Sequence, residues 1–174
     1  MGFGTIFATI ALFMIIGVTS YFAFTSAIFS VDTLSHSLKV ANGKQNERIK
    51  TEIEIVDISV DDAQEINVTI NNSGHTKILK SEFKHMDVFV YYDVTGAAEG
   101  YVFKWVPYTE ELPPENDHWT VVDIAPDSIN PGIFDPDEQM RIWIRVFPRI
   151  ELGTTGWLKV VTPNGVSASK YFNV

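Results

Sequence analysis

The first 31 residues, MGFGTIFATIALFMIIGVTSYFAFTSAIFSV, contain no charged side chain. A helix rises about 1.5 Å per residue and a bilayer core is about 30 Å thick, so roughly 20 apolar residues suffice to cross it. Residues 3–31 exceed that length, interrupted only by Gly, Ser and Thr, which membrane helices tolerate where they approach one another. The pattern predicts a long N-terminal transmembrane helix. Phe24, Ala27, Val31, Leu34, Leu38 and Ala41 then follow a 3-4-3-4-3 spacing, the pattern of a helix association seam. Beyond Val31 the spacing separates Leu34, Leu38 and Ala41 from the polar Asp32, Ser35, His36 and Lys39, so an amphipathic stalk is expected to continue the membrane helix. Asn42-Gly43 is the expected stop, because Gly suits the left-handed residue after a last turn. Residues 1–42 form the first predicted unit.

From Thr51 the period changes from helical to alternating. In TEIEIVDISV, Ile53 and Ile55 hold one phase, and Val56, Ile58 and Val60 take the other, which predicts a bulge inside a strand. Ile66, Val68 and Ile70 form the next run, closed by the turn signal NNSG. MDVFVYYDV, YVFKWVPY, HWTVVDIA, QMRIWIRVF, GWLKVV and VSASKYFNV follow. In QMRIWIRVF, Met140, Ile142, Ile144 and Phe147 are the expected core positions, with Arg141, Trp143 and Arg145 on the opposite face. Asn164-Gly165 is a preferred pair for a tight hairpin turn. Eight closely spaced strands without intervening helical stretches predict an all-β, immunoglobulin-like antiparallel sandwich over residues 51–174, with Trp and Phe as its bulky core.

Composition narrows the function classes. All 13 basic and 22 acidic residues lie after Val31, so the net charge of −9 belongs to the remaining 143 residues (174 − 31). Such a domain repels nucleic acid, whose binding rests on Lys and Arg neutralising phosphates. Without cysteine there are no disulfides, thiolate metal sites or Cys nucleophiles. His36, His75, His85 and His118 are scattered, with no i, i+4 pair to suggest a metal site. Asp135, Asp137 and Glu138 cluster in SINPGIFDPDEQM, where a calcium site with Asp123 or Asp127 is conceivable, but the EF-hand spacing is absent and a solvated turn is the expectation. The acidic, Pro-rich stretch 110–117, EELPPEND, reads as an exposed loop. No catalytic motif is present, so the expectation is a non-enzymatic protein without metal or cofactor.

Orientation signals conflict. Lys39, Lys44, Arg48 and Lys50 flank the helix on its C-terminal side, which alone would put the domain in the cytoplasm. Two N-glycosylation sequons, at Asn67 and Asn71, point the other way.

Taken together, the start Met1-Gly2-Phe3-Gly4-Thr5-Ile6, the NNSGHTKI turn, SINPGIFDPDEQMRI and the closing VVTPNGVSASKYF hairpin resemble the archaellin superfamily, the subunits and accessory proteins of the archaeal motility filament. Within it the chain is most similar to the FlaF (ArlF) accessory branch, and the FlaG branch shares the architecture. The resemblance implies a membrane-anchored stator whose sandwich lies outside the cell. There it would bind the surface-layer protein or the sister accessory protein FlaG, with homodimer formation through the helix seam. Filament-forming members carry a basic leader cut before the helix, and the uncharged start here favours an uncleaved accessory protein. A filament-forming archaellin subunit and the FlaG branch are the alternatives.

Overall fold

The computed structural model describes residues 2–94 and 100–174; Met1 of the family-like start lies outside them. The chain divides into two compact units, one ending at Gln45 and one beginning at Asn46.

The first element is an uninterrupted helix, α1 (Phe3–Lys50), 48 residues and so about 72 Å long. Its threonine hydroxyls, with those of Ser30 and Ser37, bond to its own backbone. Thr9 Oγ1 donates to the carbonyl of Thr5 (3.1 Å), Thr19 to Ile15 (2.9 Å), Thr25 to Tyr21 (3.0 Å) and Ser30 to Ser26 (2.8 Å). These i→i−4 bonds let a helix carry hydroxyls through an apolar medium without an unmet donor. The expected stop at Asn42-Gly43 is corrected: α1 continues to Lys50. A single interior Gly costs about 1 kcal/mol relative to Ala, and the following KQNERIK is rich in strong helix formers that sustain the next turns.

The second unit is an antiparallel β-sandwich. Its strands are β1 (Ile53–Asp61), β2 (Glu65–Asn72), β3 (Asp87–Asp93), β4 (Tyr101–Val106), β5 (His118–Ala125), β6 (Gln139–Arg145), β7 (Thr155–Val161) and β8 (Ser167–Asn173). One sheet has the order β1-β2-β6-β5 and the other β4-β3-β7-β8. Lettered in chain order, that is the A-B-E-D and C′-C-F-G arrangement of immunoglobulin-like domains. The phase change in β1 is a bulge between Ile55 and Asp57. The β7–β8 hairpin closes through Pro163, Asn164 and Gly165, with Thr162 N–H bonded to Val166 O (2.8 Å) and Gly165 at φ +83°. It is a three-residue loop with Gly at the left-handed position.

The core is aliphatic at its centre. Ile66, Val68 and Ile70 of β2 share it with Val88 and Val90 of β3, and with Leu158 and Val160 of β7. In β6 the inward row is Met140, Ile142, Ile144 and then Val146, whereas Phe147 is exposed, correcting its expected core position. Strict alternation continues past the strand end, so the smaller residue in phase is buried. The expectation that Trp and Phe supply the core holds for Trp119, Phe83, Phe134 and Phe172; Trp105 and Phe103 lie outside.

The entry to the sandwich is tied from several sides. The Lys50 carbonyl accepts the His75 N–H (2.7 Å) and Glu52 O accepts the Gly74 N–H (3.0 Å). Thr51 Oγ1 accepts from Asn164 Nδ2 (2.6 Å), and Lys170 Nζ donates to Val56 O (2.6 Å). Gly74 is obligatory here, since an added Cβ would fall 2.7 Å from the Lys50 oxygen and closer still to the Glu52 nitrogen.

Tyr92 carries a pH dependence. Its ring is wholly buried, its hydroxyl donates to Pro148 O (3.1 Å), and burial first, then Asp117, raise its pKa. The folded chain holds this proton more tightly than the unfolded chain, whose phenol titrates near about 10. Its contribution is therefore intact below that pH and is lost as the pH rises above it. Urea midpoints at about pH 8 and about pH 11 are expected to fall less in Tyr92→Phe than in the parent; equal falls would contradict this.

Candidate interaction surface

In and beside the SINPGIFDPDEQM segment, Asp127, Asp135 and Glu138 are engaged in turns. Asp127 accepts the Gly132 N–H (2.9 Å), Asp135 accepts from Asn130 Nδ2 (2.8 Å), and Glu138 Oε2 accepts the Asp135 N–H (3.0 Å). Asp123 faces Arg141 across the β5–β6 ladder and takes a hydrogen bond from its Nε (2.6 Å). That hydrogen bond holds the Asp123 carboxyl below the usual carboxylate range. Among the described residues no three His, Asp or Glu converge as a metal-ligand set.

The two sequon asparagines lie on β2, not in a loop. Both side chains occupy the outward phase and are half-buried, and Asn67 Nδ2 donates to Asp61 Oδ2 (2.9 Å). The seam positions Phe24, Val31, Leu34 and Leu38 are exposed on α1, as are Ala27 and Ala41.

The sandwich edges differ in how they are guarded. Lys170 of β8 donates to the Ile55 and Val56 carbonyls of β1, so the edges of β8 and β1 close on each other. On the edge strand β5, a bulge between Val121 and Asp123 disturbs the ladder, and the Asp123–Arg141 ion pair adds charge. Bulges and charges are the usual guards of an edge. At β4 the inward-phase Lys104 is held by Asp117 (2.7 Å) and the Phe147 carbonyl.

A different surface emerges on the outer face of β4-β3-β7-β8. Residues directly opposite each other in a sheet share a face. The pairs Tyr171–Trp157, Trp157–Tyr91 and Tyr91–Phe103 therefore lay one aromatic row across all four strands. Phe89–Trp105 begins a second row and Asp93–Tyr101 lies beyond the first. Phe89 stacks on Phe103 (centroids 5.8 Å, planes 6° apart) and Tyr91 on Tyr101 (5.3 Å, 10°). Tyr101, Phe103, Trp105 and Tyr171 are 69, 62, 54 and 73% exposed. At about 150–250 Å² per aromatic side chain, these four alone present about 500 Å². The largest apolar patch on a typical monomer is about 300–600 Å² and is often functional. Sequence reasoning missed this face, although a signal was there: the aromatics of YVFKWV all fall in one phase.

No protein-family model matches the chain. It is 30% identical over 176 residues to an Archaeoglobus fulgidus protein described as "Uncharacterized protein", a match covering 100% of this chain and 98% of the relative. Among solved structures it is similar to the archaellum periplasmic stator protein complex FlaF and FlaG from Sulfolobus acidocaldarius. The TM-score is 0.50 at 20% identity, with 70% of this chain and 89% of that chain covered. It is also similar to the archaeal flagellum of Methanospirillum hungatei strain JF1, with a TM-score of 0.50 at 9% identity over 100% of this chain and 93% of that one. The chain thus has the fold of the archaellum proteins, and by its full-length identity it belongs to one family with the Archaeoglobus fulgidus protein.

Proposed function

We propose that this protein is a membrane-anchored structural component of the archaellum, acting as a stator whose sandwich binds the surface layer or the sister accessory protein FlaG. The observation that carries the reading is the combination of a long helix whose first 31 residues carry no charge, and whose threonine hydroxyls bond to its own backbone, with a sandwich of the fold found in the FlaF–FlaG complex. A fixed anchor and a rigid binding domain are the two parts a stator needs. Asp127, Asp135 and Glu138 brace turns, which supports a structural role for that segment.

In this reading α1 crosses the cytoplasmic membrane once and residues 51–174 lie outside the cell, where Asn67 and Asn71 would be accessible to glycosylation. The face of Phe24, Ala27, Val31, Leu34, Leu38 and Ala41 serves as a helix-pairing seam.

One observation favours a second reading, that of a filament subunit: the similarity to the Methanospirillum hungatei flagellum spans the whole chain, helix included. Membrane fractionation with N-terminal mass spectrometry separates the two. A stator is expected to stay in the membrane after carbonate extraction with residues 1–31 present, and to retain surface-layer protein or FlaG in pull-downs. Recovery in sheared filaments sinks the stator reading. So does failure of the membrane-embedded protein to retain either partner.

A further inference from the structure

We propose that the outer face of β4-β3-β7-β8 is a self-pairing surface on which a second copy of this chain packs face to face. The inference stands apart from the archaellum reading and rests on area, charge and geometry.

Four exposed aromatics supply about 500 Å². Phe89, Tyr91 and Trp157 fill the gaps between them, and Ser169, Lys159 and Thr155 extend the face across β7 and β8. A standard interface needs about 800 Å² per partner, which a face of this extent approaches. Tyr and Trp are also the residues enriched as anchors in such interfaces.

Charge selects the occupant. The chain carries a net −9, so most of its surface repels a second copy, nucleic acid and anionic lipid alike. On this face Asp87 is engaged by Trp105 Nε1 (2.9 Å), and Lys159 and Asp93 are its two other charged residues. Lys159 sits one row to one side of the Tyr91–Trp157 row and Asp93 one row to the other, on neighbouring strands. A two-fold axis lying in the face and crossing the strands at the Tyr91 row carries Lys159 of one copy toward Asp93 of the other, twice. The face is self-complementary, as an isologous interface requires.

The test uses the full chain in detergent micelles, with its protein mass followed by sedimentation. A dimer is expected. In a chain whose helix seam is disabled by Leu34→Glu and Leu38→Glu, Phe103→Arg with Trp105→Arg should make it monomeric while the circular dichroism spectrum is unchanged, because neither side chain is in the core. Lys159→Asp and Asp93→Lys should each raise the dissociation constant about tenfold, and both together in one chain should recover most of that loss. A monomeric parent overturns the proposal. So does a mass indifferent to the arginine pair, a double exchange no better than the single ones, or a dimer lost with Leu34→Glu and Leu38→Glu but insensitive to every face substitution.

Discussion

Replacing Asn72 with alanine is expected to lower the stability of the sandwich by about 2–4 kcal/mol, a large part of the roughly 5–15 kcal/mol that holds an ordinary domain. Asn72 ends β2 with its side chain fully buried. Its Nδ2 donates to the carbonyls of Thr76 (3.0 Å) and Phe134 (3.2 Å), and its Oδ1 accepts the Gly74 N–H (3.2 Å). Its backbone pairs with the 137–138 turn, through Glu138 O (3.0 Å) and the Asp137 N–H (2.8 Å). One amide thus joins the crossover that leaves β2 to the segment that enters β6. Alanine removes three hydrogen bonds; the Gly74 N–H keeps Glu52 O and the Phe134 carbonyl keeps the Ile78 N–H, while the Thr76 carbonyl loses its partner, so the loss is about 0.5–1.5 kcal/mol per bond plus about 1 kcal/mol for that carbonyl. Asn71→Ala, one residue away and in the outward phase, is expected to change stability by no more than about 0.5 kcal/mol. Urea denaturation of the intact chain in micelles, followed by Trp fluorescence, checks both. Equal midpoints for the two variants would refute the assignment.

Trp119→Ala is the second large effect, expected to cost about 3–5 kcal/mol and to lower the melting temperature by about 12–20 °C. Trp119, the second residue of β5, has no exposed surface and packs against Tyr108 at 4.9 Å between ring centroids. Its backbone bonds Pro107 O (2.9 Å) and the Thr109 N–H (2.8 Å), bridging the chain after β4 to the other sheet. Truncating the ring opens a cavity at the place where the two sheets are joined. Among the described residues the indole Nε1 has no hydrogen-bond partner, so Trp119→Phe forfeits volume but no polar contact with them. It should retain most of the stability, within about 1.5 kcal/mol of the parent. Calorimetry decides between the two, and a phenylalanine variant as damaged as the alanine one would mean that packing volume is not what Trp119 contributes.

Why some of this was legible in the sequence and some was not follows from what alternation measures. Period-two patterning marks that a stretch is a strand, and all eight runs are strands. It even located the β1 bulge, because a slip of phase is a covalent property of the chain. It does not say which phase faces in. In YVFKWV the larger side chains are Tyr101, Phe103 and Trp105, yet Val102, Lys104 and Val106 take the inward phase. Lys104 can do so because Asp117 and the Phe147 carbonyl meet its ammonium from elements distant in sequence. That tertiary compensation is invisible locally, and with it the aromatic face was hidden. Asn72 was equally opaque: NNSG reads as a solvated turn, and only the approach of residues 134–138 turns one of its asparagines into a buried hub. The end of α1 is illegible for the opposite reason: Asn42-Gly43 carries a stop signal, but nothing beyond it obliges the helix to stop.

The ties around Thr51 bear on how the sandwich would respond to tension. An edge strand such as β1, pulled from its N-terminal end, would ordinarily peel off one hydrogen bond at a time at low force. Here the same few residues are gripped by His75 and Gly74 from the crossover after β2, by Asn164 from the β7–β8 hairpin and by Lys170 from β8. A pull delivered through Asn46 must rupture bonds to both sheets together, so the load is shared and the threshold for tearing rises. The entry point is built as a mechanical clamp, a useful property in any domain that is held at one end while something moves against it.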